Sequence, residues 1–517
     1  MTGTALAGLS PRRALALAAL GGALMAPAQP PLGFWPLFFL AGPLLFLLWR
    51  RVETAARPGR AAFLTGWAAG AAHFALALHW IVEPFLVDIA RHGWMAPFAL
   101  ILMAGGLALF WGAGFWLAFA LRRLIGGPFA LALGWAAAEF ARSHVLTGFP
   151  WALPAYGWVE TPLAQAAALI GPYGLSFLIF AAMLAPGALL SRPRAILPAA
   201  LTLPALAGLW LWGAERAPDA TPGENRPLIR LIQTDIDQRL KWAPGESGRI
   251  FRRLLDLSSP ASAVGPAPVL SIWPETAVTF PIDMAPEAQL VIRETLGPGA
   301  LALGSLRLDK GPLARVEPGA RWRNSLFLLD EQGLSTPFDK IHLVPFGEYM
   351  PLAGLMEEIG ISSIAGVGGG IVAGADNVLM RPAGTPAFSP LICYEMIFPR
   401  ETARAAASGA EWLVLVTNDG WFGDWAGPAQ HFAMARTRAI ETGLPVARAA
   451  NRGRSAMIDP WGRASPPLSG AREGALDAYL PASLSAPPYF RHGEIPTLVM
   501  ICAAAFLAFF GRRRAGR

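Results

Sequence analysis

The sequence predicts a two-part fold: a multi-span α-helical membrane region, then an α/β domain, then one last span. Three observations carry this expectation. The 517 residues are 54% hydrophobic and only 15% charged, where a soluble chain carries about 25% charged residues. Only five of the 35 acidic residues (Glu53, Glu83, Asp88, Glu139 and Glu160) precede Gly213. After residue 226 the long apolar stretches give way to short strand-like runs alternating with helical patterns. A wholly soluble enzyme and a disordered chain are thereby disfavoured. The net charge of +7 does not point to nucleic acid, because the basic residues flank apolar stretches, as at a membrane surface. Two cysteines, Cys393 and Cys502, imply no disulfide framework.

In chain order, apolar stretches recur at roughly 12–30, 31–49, 61–82, 94–121, 128–141, 162–190 and 195–213, with a last one near 494–510. A spanning helix needs about 20 apolar residues. Pro27, Pro30 and Pro31 break the first stretch, which suits a tight helical hairpin with the second. The fifth and last are the shortest. Arginine clusters set the orientation: Arg12–Arg13, then Arg50, Arg51, Arg57 and Arg60, then Arg122–Arg123, Arg192 and Arg194, and finally Arg512–Arg514 with Arg517. Alternate loops are poorer in such residues. About eight spans with both termini cytoplasmic satisfy every cluster, and the segment between spans seven and eight then lies outside the cytoplasm. The first span lacks a small-residue cleavage site, so it is expected to be retained.

Polar residues near the membrane segments are His73, His79, Glu83, Glu139, Arg142 and His144. They read as interfacial groups or as a Glu139–Arg142 pair, with lipid or substrate contact as the functional alternative. Phe149-Pro150-Trp151, Tyr156 and Trp158 read as an interfacial aromatic belt. The domain boundaries are therefore a membrane domain of seven spans over 1–213, a linker over 214–226, a soluble domain over 227–489, and a last span with a basic tail over 490–517. Within the soluble domain, strands are expected at Leu228–Gln233, Val269–Trp273, Ala300–Ser305, Ser325–Leu329, Pro390–Cys393, Trp412–Val416 and Pro445–Ala449. Helices are expected at Gly248–Leu257, Pro286–Leu296, Arg400–Ala407 and Pro428–Thr442. This alternation places active residues at strand ends. The glycine-rich stretch Ile364–Gly374 is too irregular for a phosphate loop and reads as a lid.

Three segments carry chemistry. Ser271-Ile272-Trp273-Pro274-Glu275-Thr276 sets a carboxylate just after a strand. The run from Asp339-Lys340 to Gly347-Glu348-Tyr349 holds a lysine and a second carboxylate. Leu391-Ile392-Cys393-Tyr394-Glu395 ends an apolar strand in a cysteine. Singly, each admits a plain reading: a cap, a surface lysine, a small core residue. Together they supply a base, an electrophilic stabiliser and a nucleophile for acyl transfer. No G-x-S-x-G elbow competes with them.

Trp273-Pro274-Glu275, Lys340 to Pro351, Cys393-Tyr394-Glu395 and Thr417-Asn418-Asp419-Gly420-Trp421-Phe422-Gly423, with Thr147-Gly148-Phe149-Pro150-Trp151, resemble the apolipoprotein N-acyltransferase family of the nitrilase superfamily. The resemblance covers essentially the whole chain. It implies an α-β-β-α sandwich facing the periplasm from the inner membrane. It implies transfer of an acyl chain from a phospholipid, typically phosphatidylethanolamine, through a cysteine thioester to the α-amino group of diacylglyceryl-cysteine in an apolipoprotein. By the same resemblance Glu275 is the base, Lys340 the oxyanion stabiliser and Cys393 the nucleophile. Glu348 orients Lys340 or handles protons, while Tyr394 and Glu395 support the pocket. Trp242 engages substrate, and Trp421 and Phe422 contact acyl chains or form a turn. No metal, cofactor or nucleic acid is expected. A membrane-tethered amidase for small amides is the alternative that the three residues alone would allow. A transporter with an external binding domain would leave them unexplained.

Overall fold

The structure is a computed structural model, described for residues 9–191, 196–217, 226–259, 266–310, 320–352, 354, 370–470 and 472–515. The chain divides into two compact units, one of Met1–Val82, Met95–Pro218 and Ala486–Arg517, the other of Glu83–Trp94 and Asp219–Ser485.

In the first unit the apolar stretches are helices: α1 (Pro11–Met25), α2 (Phe38–Arg51), α3 (Pro58–Ala77), α4 (Ala96–Ile125), α5 (Gly127–Arg142), α6 (Ala167–Ser191), α7 (Ile196–Arg216), and a last helix, Ile495–Ala515. Among the described residues, three helical stretches are long and apolar enough to cross a membrane: Trp35–Thr54, Ile89–Ile125 and Pro162–Leu189. A fourth is added if Pro58–Ala77 and His79–Leu86, bent by 65°, form one span. The expectation of about eight spans is thus met only in part. For two of the stretches the reason is length: α1 has 15 residues and α5 has 16, about 23 Å of helix at 1.5 Å per residue. Prolines at 27, 30 and 31 stop α1 early, as expected. Helix α7 continues through Glu215 and Arg216, into the range expected for the linker, whose residues 218–225 lie outside the described ones.

Small residues let these helices approach backbone to backbone. A Cβ at Gly22 would lie 1.8 Å from the Ala69 carbonyl oxygen of α3, and one at Gly114 would lie 2.5 Å from that of Gly134 in α5. Gly171 breaks α6 with φ +64°, ahead of Pro172. The Ile170 carbonyl freed there accepts a 2.6 Å hydrogen bond from Thr497 Oγ1 on the last helix.

Two sequence readings of the membrane part are refined. Glu139 and Arg142 do pair, each 1% exposed. Trp111 Nε1 donates to Glu139, and Arg142 donates to the Phe149 carbonyl. The pair therefore holds the Thr147–Trp151 segment in place. The expected aromatic belt is instead interior packing: Trp151, Tyr156 and Trp158 are 1–3% exposed. Trp158 stacks on Trp35 at 4.4 Å and Trp151 lies 4.5 Å from Trp80. Gln29 Nε2 donates to the carbonyls of Ala152 and Leu153, so a buried amide satisfies a buried loop.

The second unit is built on two sheets. In the first, β1 (Leu228–Gln233), β2 (Leu270–Ile272), β3 (Ala300–Leu308) and β4 (Trp322–Asp330) lie side by side, with β5 (Gly333–Leu334) and β6 (Phe338–Asp339) on β4. The second contains β7 (Phe388–Ile392), β8 (Trp412–Thr417), β9 (Val446–Ala450), β10 (Gly453–Ile458) and β11 (Leu468–Gly470). A final strand, β12 (Gly474–Tyr479), returns to pair antiparallel with β1. Side chains alternate across each strand. Ile229, Leu270, Ala302 and Leu328 face the other sheet's Phe388, Trp412, Val414 and Ala447. Ile232, Leu301, Leu303 and Phe327 face helices α8 (Glu246–Ser258) and α9 (Pro286–Leu296) through Leu254 and Ile292. Helices α10 (Pro399–Ala407) and α11 (Ala426–Thr442) pack on the second sheet. The result is the expected α-β-β-α order. The seven expected strands are all present; β5, β6, β10, β11 and β12 were not foreseen, and of the expected lid 364–374 only the residues from 370 onward are described.

Candidate active site

β2 and β7 are parallel strands of different sheets, and each ends in chemistry. β2 runs out at Ile272, Pro274 stops the ladder, and Glu275 turns back at the strand end. Glu275 lies against Gly304 of β3, where a Cβ would be 2.8 Å from the Glu275 Cα. Cys393 follows β7 directly, with φ +52°, and Thr276 has φ +47°. Left-handed backbone at a residue with a side chain costs on the order of 1–2 kcal/mol, so surrounding contacts must hold both turns.

Lys340 follows β6, anchored by its own N–H donating to the Asn324 carbonyl at 2.8 Å. Its side chain is 1% exposed. Nζ donates to Glu348 Oε1 at 2.9 Å and lies 3.6 Å from Glu275 Oε1. Asn324 Nδ2 bridges the two carboxylates, at 2.7 Å from Glu275 Oε1 and 3.2 Å from Glu348 Oε1. The Val344 N–H donates to Glu348 Oε2 at 2.8 Å. Burial alone would lower the ammonium of Lys340, but the Glu348 and Glu275 carboxylates outweigh it and hold its pKa above the usual lysine value. Burial, and then Glu275, push the Cys393 thiol well up, against the pull of Lys340 and Thr417. The resting group is therefore a thiol, and a thiolate can form only as its proton is taken.

Glu395 clips two loops together. Its Oε2 accepts from Ile392 N at 2.7 Å, and its Oε1 from Ile341 N at 2.7 Å and His342 N at 3.2 Å. The turn of Cys393 is thus tied to the segment that carries Lys340. Burial pushes the Glu395 carboxyl up to about 7, although three backbone N–H groups pull the other way. Because the folded pKa exceeds the ordinary 4.5, its stability contribution is full below about pH 4.5 and is lost as pH rises through 7. Relative to Glu395→Gln, the melting midpoint of the wild type should fall between pH 5 and pH 7.5. A difference that stays constant across that range would refute the assignment.

Of the remaining expected residues, Tyr394 is buried beside Cys393 and packs edge-on to Phe398 at 5.1 Å. Trp242 is 50% exposed on the loop before α8. Phe422 packs on the intersheet core and edge-on to His431 at 5.8 Å, so the turn reading suits it better than an acyl-chain contact. Trp421 is half-buried in the same turn.

Four groups escaped the sequence reading. Asn324 is one; a buried Asn-Ser pair inside the apolar β4 was its only signal. Lys241, 3% exposed, donates to the Glu275 carbonyl at 3.4 Å, and burial lowers it to about 8 against the pull of Glu275. His431 and Arg448 surround Asp419, with His431 Nδ1 at 2.9 Å from Asp419 Oδ1 and Arg448 Nη2 at 2.6 Å from Oδ2. Burial alone would raise Asp419, but Arg448 and His431 hold it down at about 2. Among the described residues no cluster of His, Cys, Asp and Glu is arranged to hold a metal ion.

The arrangement can remove a proton from a thiol, hold a cation beside it and keep that cation fixed by a second carboxylate. Residues 21–185 match the apolipoprotein N-acyltransferase N-terminal domain, and residues 249–486 match the carbon-nitrogen hydrolase family. The apolipoprotein N-acyltransferase of Brucella melitensis is 38% identical over 97% of each chain. That of Rhodopseudomonas palustris is 36% identical over 97% of this chain and 95% of its own. An amidase from Nesterenkonia sp. aligns with 53% of this chain and 96% of its own, at 19% identity and a TM-score of 0.37.

Proposed function

The chain belongs to the apolipoprotein N-acyltransferase family, and from that premise we propose how its residues carry out the reaction. It is an N-acyltransferase that works on lipid-anchored substrates. A phospholipid, phosphatidylethanolamine on this reading, brings its sn-1 ester to Cys393. Glu275 takes the thiol proton, the sulfur attacks the ester carbonyl, and the ammonium of Lys340 stabilises the oxyanion. Collapse breaks the C–O bond, and the leaving lysophospholipid alkoxide takes the proton from Glu275. In the second half the α-amino nitrogen of diacylglyceryl-cysteine attacks the thioester. Glu275 receives the amine's proton, the C–S bond breaks, and Glu275 returns that proton to the leaving thiolate.

The observation that carries this reading is the convergence of Glu275 and Glu348 on Lys340, the two carboxylates bridged by Asn324, close enough to Cys393 for Glu275 and Lys340 to shift its thiol. Glu348 acts by orienting Lys340. Tyr394 and Glu395 hold the nucleophile's turn, and the half-exposed Trp242 meets substrate. Trp421 and Phe422 shape the turn after β8.

The same reading assigns eight spans within 1–213 and 490–517, a linker over 214–226 and a catalytic domain over 227–489. It puts the termini in the cytoplasm and the catalytic domain in the periplasm, in the inner membrane. A soluble enzyme would have to pull acyl chains from the bilayer at about 0.8 kcal/mol per CH₂; a site at the membrane surface avoids this. A tethered amidase for small amides would leave the first domain without a task. Given phospholipid and a diacylglyceryl-cysteine peptide, the purified protein should form triacylated peptide and lysophospholipid in equal amounts, with no turnover of short aliphatic amides. The reverse pattern would overturn the assignment.

A further inference from the structure

The nucleophile's turn is held at the strand end that leads into it and at its own carbonyl. On one side Glu395 accepts the Ile392 N–H. On the other, His431 Nε2 lies 3.2 Å from the Cys393 carbonyl oxygen. That oxygen can only accept, so Nε2 carries a proton. The other ring nitrogen has two neighbours, Asp419 Oδ1 at 2.9 Å and Arg448 Nη2 at 3.1 Å. It either donates to the carboxylate or accepts from the guanidinium, and in both cases Nε2 keeps its proton. Asp419 is itself fixed by Thr417 Oγ1 at 3.0 Å and by Arg448. Asp419, His431 and Arg448 are each 0% exposed, so water does not compete for these bonds. None of the three is assigned a step in the reaction above.

A trans peptide points its C=O and N–H in opposite directions. Holding the Cys393 carbonyl toward α11 therefore turns the Tyr394 N–H away from that helix. It also opposes relaxation of the unfavourable φ of +52° at Cys393. We propose that His431, oriented by Asp419 and Arg448, is a positioning residue that fixes the Cys393–Tyr394 peptide in the orientation needed for attack on a carbonyl. The inference rests on Cys393 being the nucleophile. Displacement of a reacting group by about 1 Å can cost on the order of 10²-fold in rate, which sets the scale of the effect.

The test compares two reactions of one thiol. Lysophospholipid release from phospholipid requires attack on a carbonyl and stabilisation of an oxyanion. Alkylation by iodoacetamide forms a bond to the same sulfur without any tetrahedral oxyanion. In His431→Met, release should fall by about 10²-fold while alkylation of Cys393 changes less than about threefold. His431→Gln, whose amide can again donate to the carbonyl, should recover about tenfold of the loss. Asp419→Asn keeps the imidazole but weakens the anion that orients it, and should show the same selective loss should His431→Met fail to fold. Parallel loss of both reactions, or unchanged release in a folded variant, would overturn the proposal. Peptide mapping of the acylated wild type separates the two levels. An acyl group away from Cys393 would remove the nucleophile reading itself, whereas acyl on Cys393 with parallel losses would remove only the role of His431.

Discussion

Cys393→Ser is expected to abolish the acyl-enzyme and lower turnover by on the order of 10⁴-fold or more. The thiol of Cys393 is already pushed up by burial and by Glu275, so the site has little reserve for activating a weaker acid. A serine hydroxyl at the same position would face the same burial with a far higher intrinsic pKa. The wild type given phospholipid alone should gain the mass of one acyl chain and release one lysophospholipid. Peptide mapping should place that chain on the peptide containing Cys393. Cys502, exposed on the last helix, should be replaceable without effect. Acyl mass on Cys502 or on a serine, with Cys393 unmodified, would end the thioester mechanism.

Lys340→Met should reduce acylation by about 10³-fold, the scale of losing one oxyanion stabiliser in a dry site. Its effect reaches further than the lost cation. Glu275 and Glu348 share the Asn324 amide and face each other across Nζ. Without the ammonium, two neighbouring carboxylates cannot both stay ionised easily, and one is driven to hold a proton. The proton acceptor for the thiol is then compromised as well. Glu275→Gln should reach a similar loss by removing that acceptor alone, and the double variant should lose less than the product of the two. Single-turnover lysophospholipid release measures all three. Full multiplicative losses in the double variant would show that the two residues act in separate steps.

The sequence by itself determined the division into an apolar and an α/β part, because charge density and hydrophobic period are local properties of the chain. It also placed Glu275 and Cys393 at strand ends, since Pro274 and the apolar run before Cys393 are local signals of where a strand stops, whereas the short strand ahead of Lys340 gave no such signal. Tertiary structure alone decided what surrounds them. Asn324 reads as a polar fault in β4 until folding lays it between Glu275 and Glu348, 49 and 24 positions away. His431 reads as an ordinary helix residue until α11 carries it to the Cys393 carbonyl, 38 positions away. Trp151 and Trp158 have the composition of a membrane belt, yet stack inward on Trp80 and Trp35. In each case the partner is distant in the chain, and the interaction has no period or spacing that a linear pattern can express. Hydrogen bonds and ring contacts of this kind exist only once burial has removed water as the alternative partner.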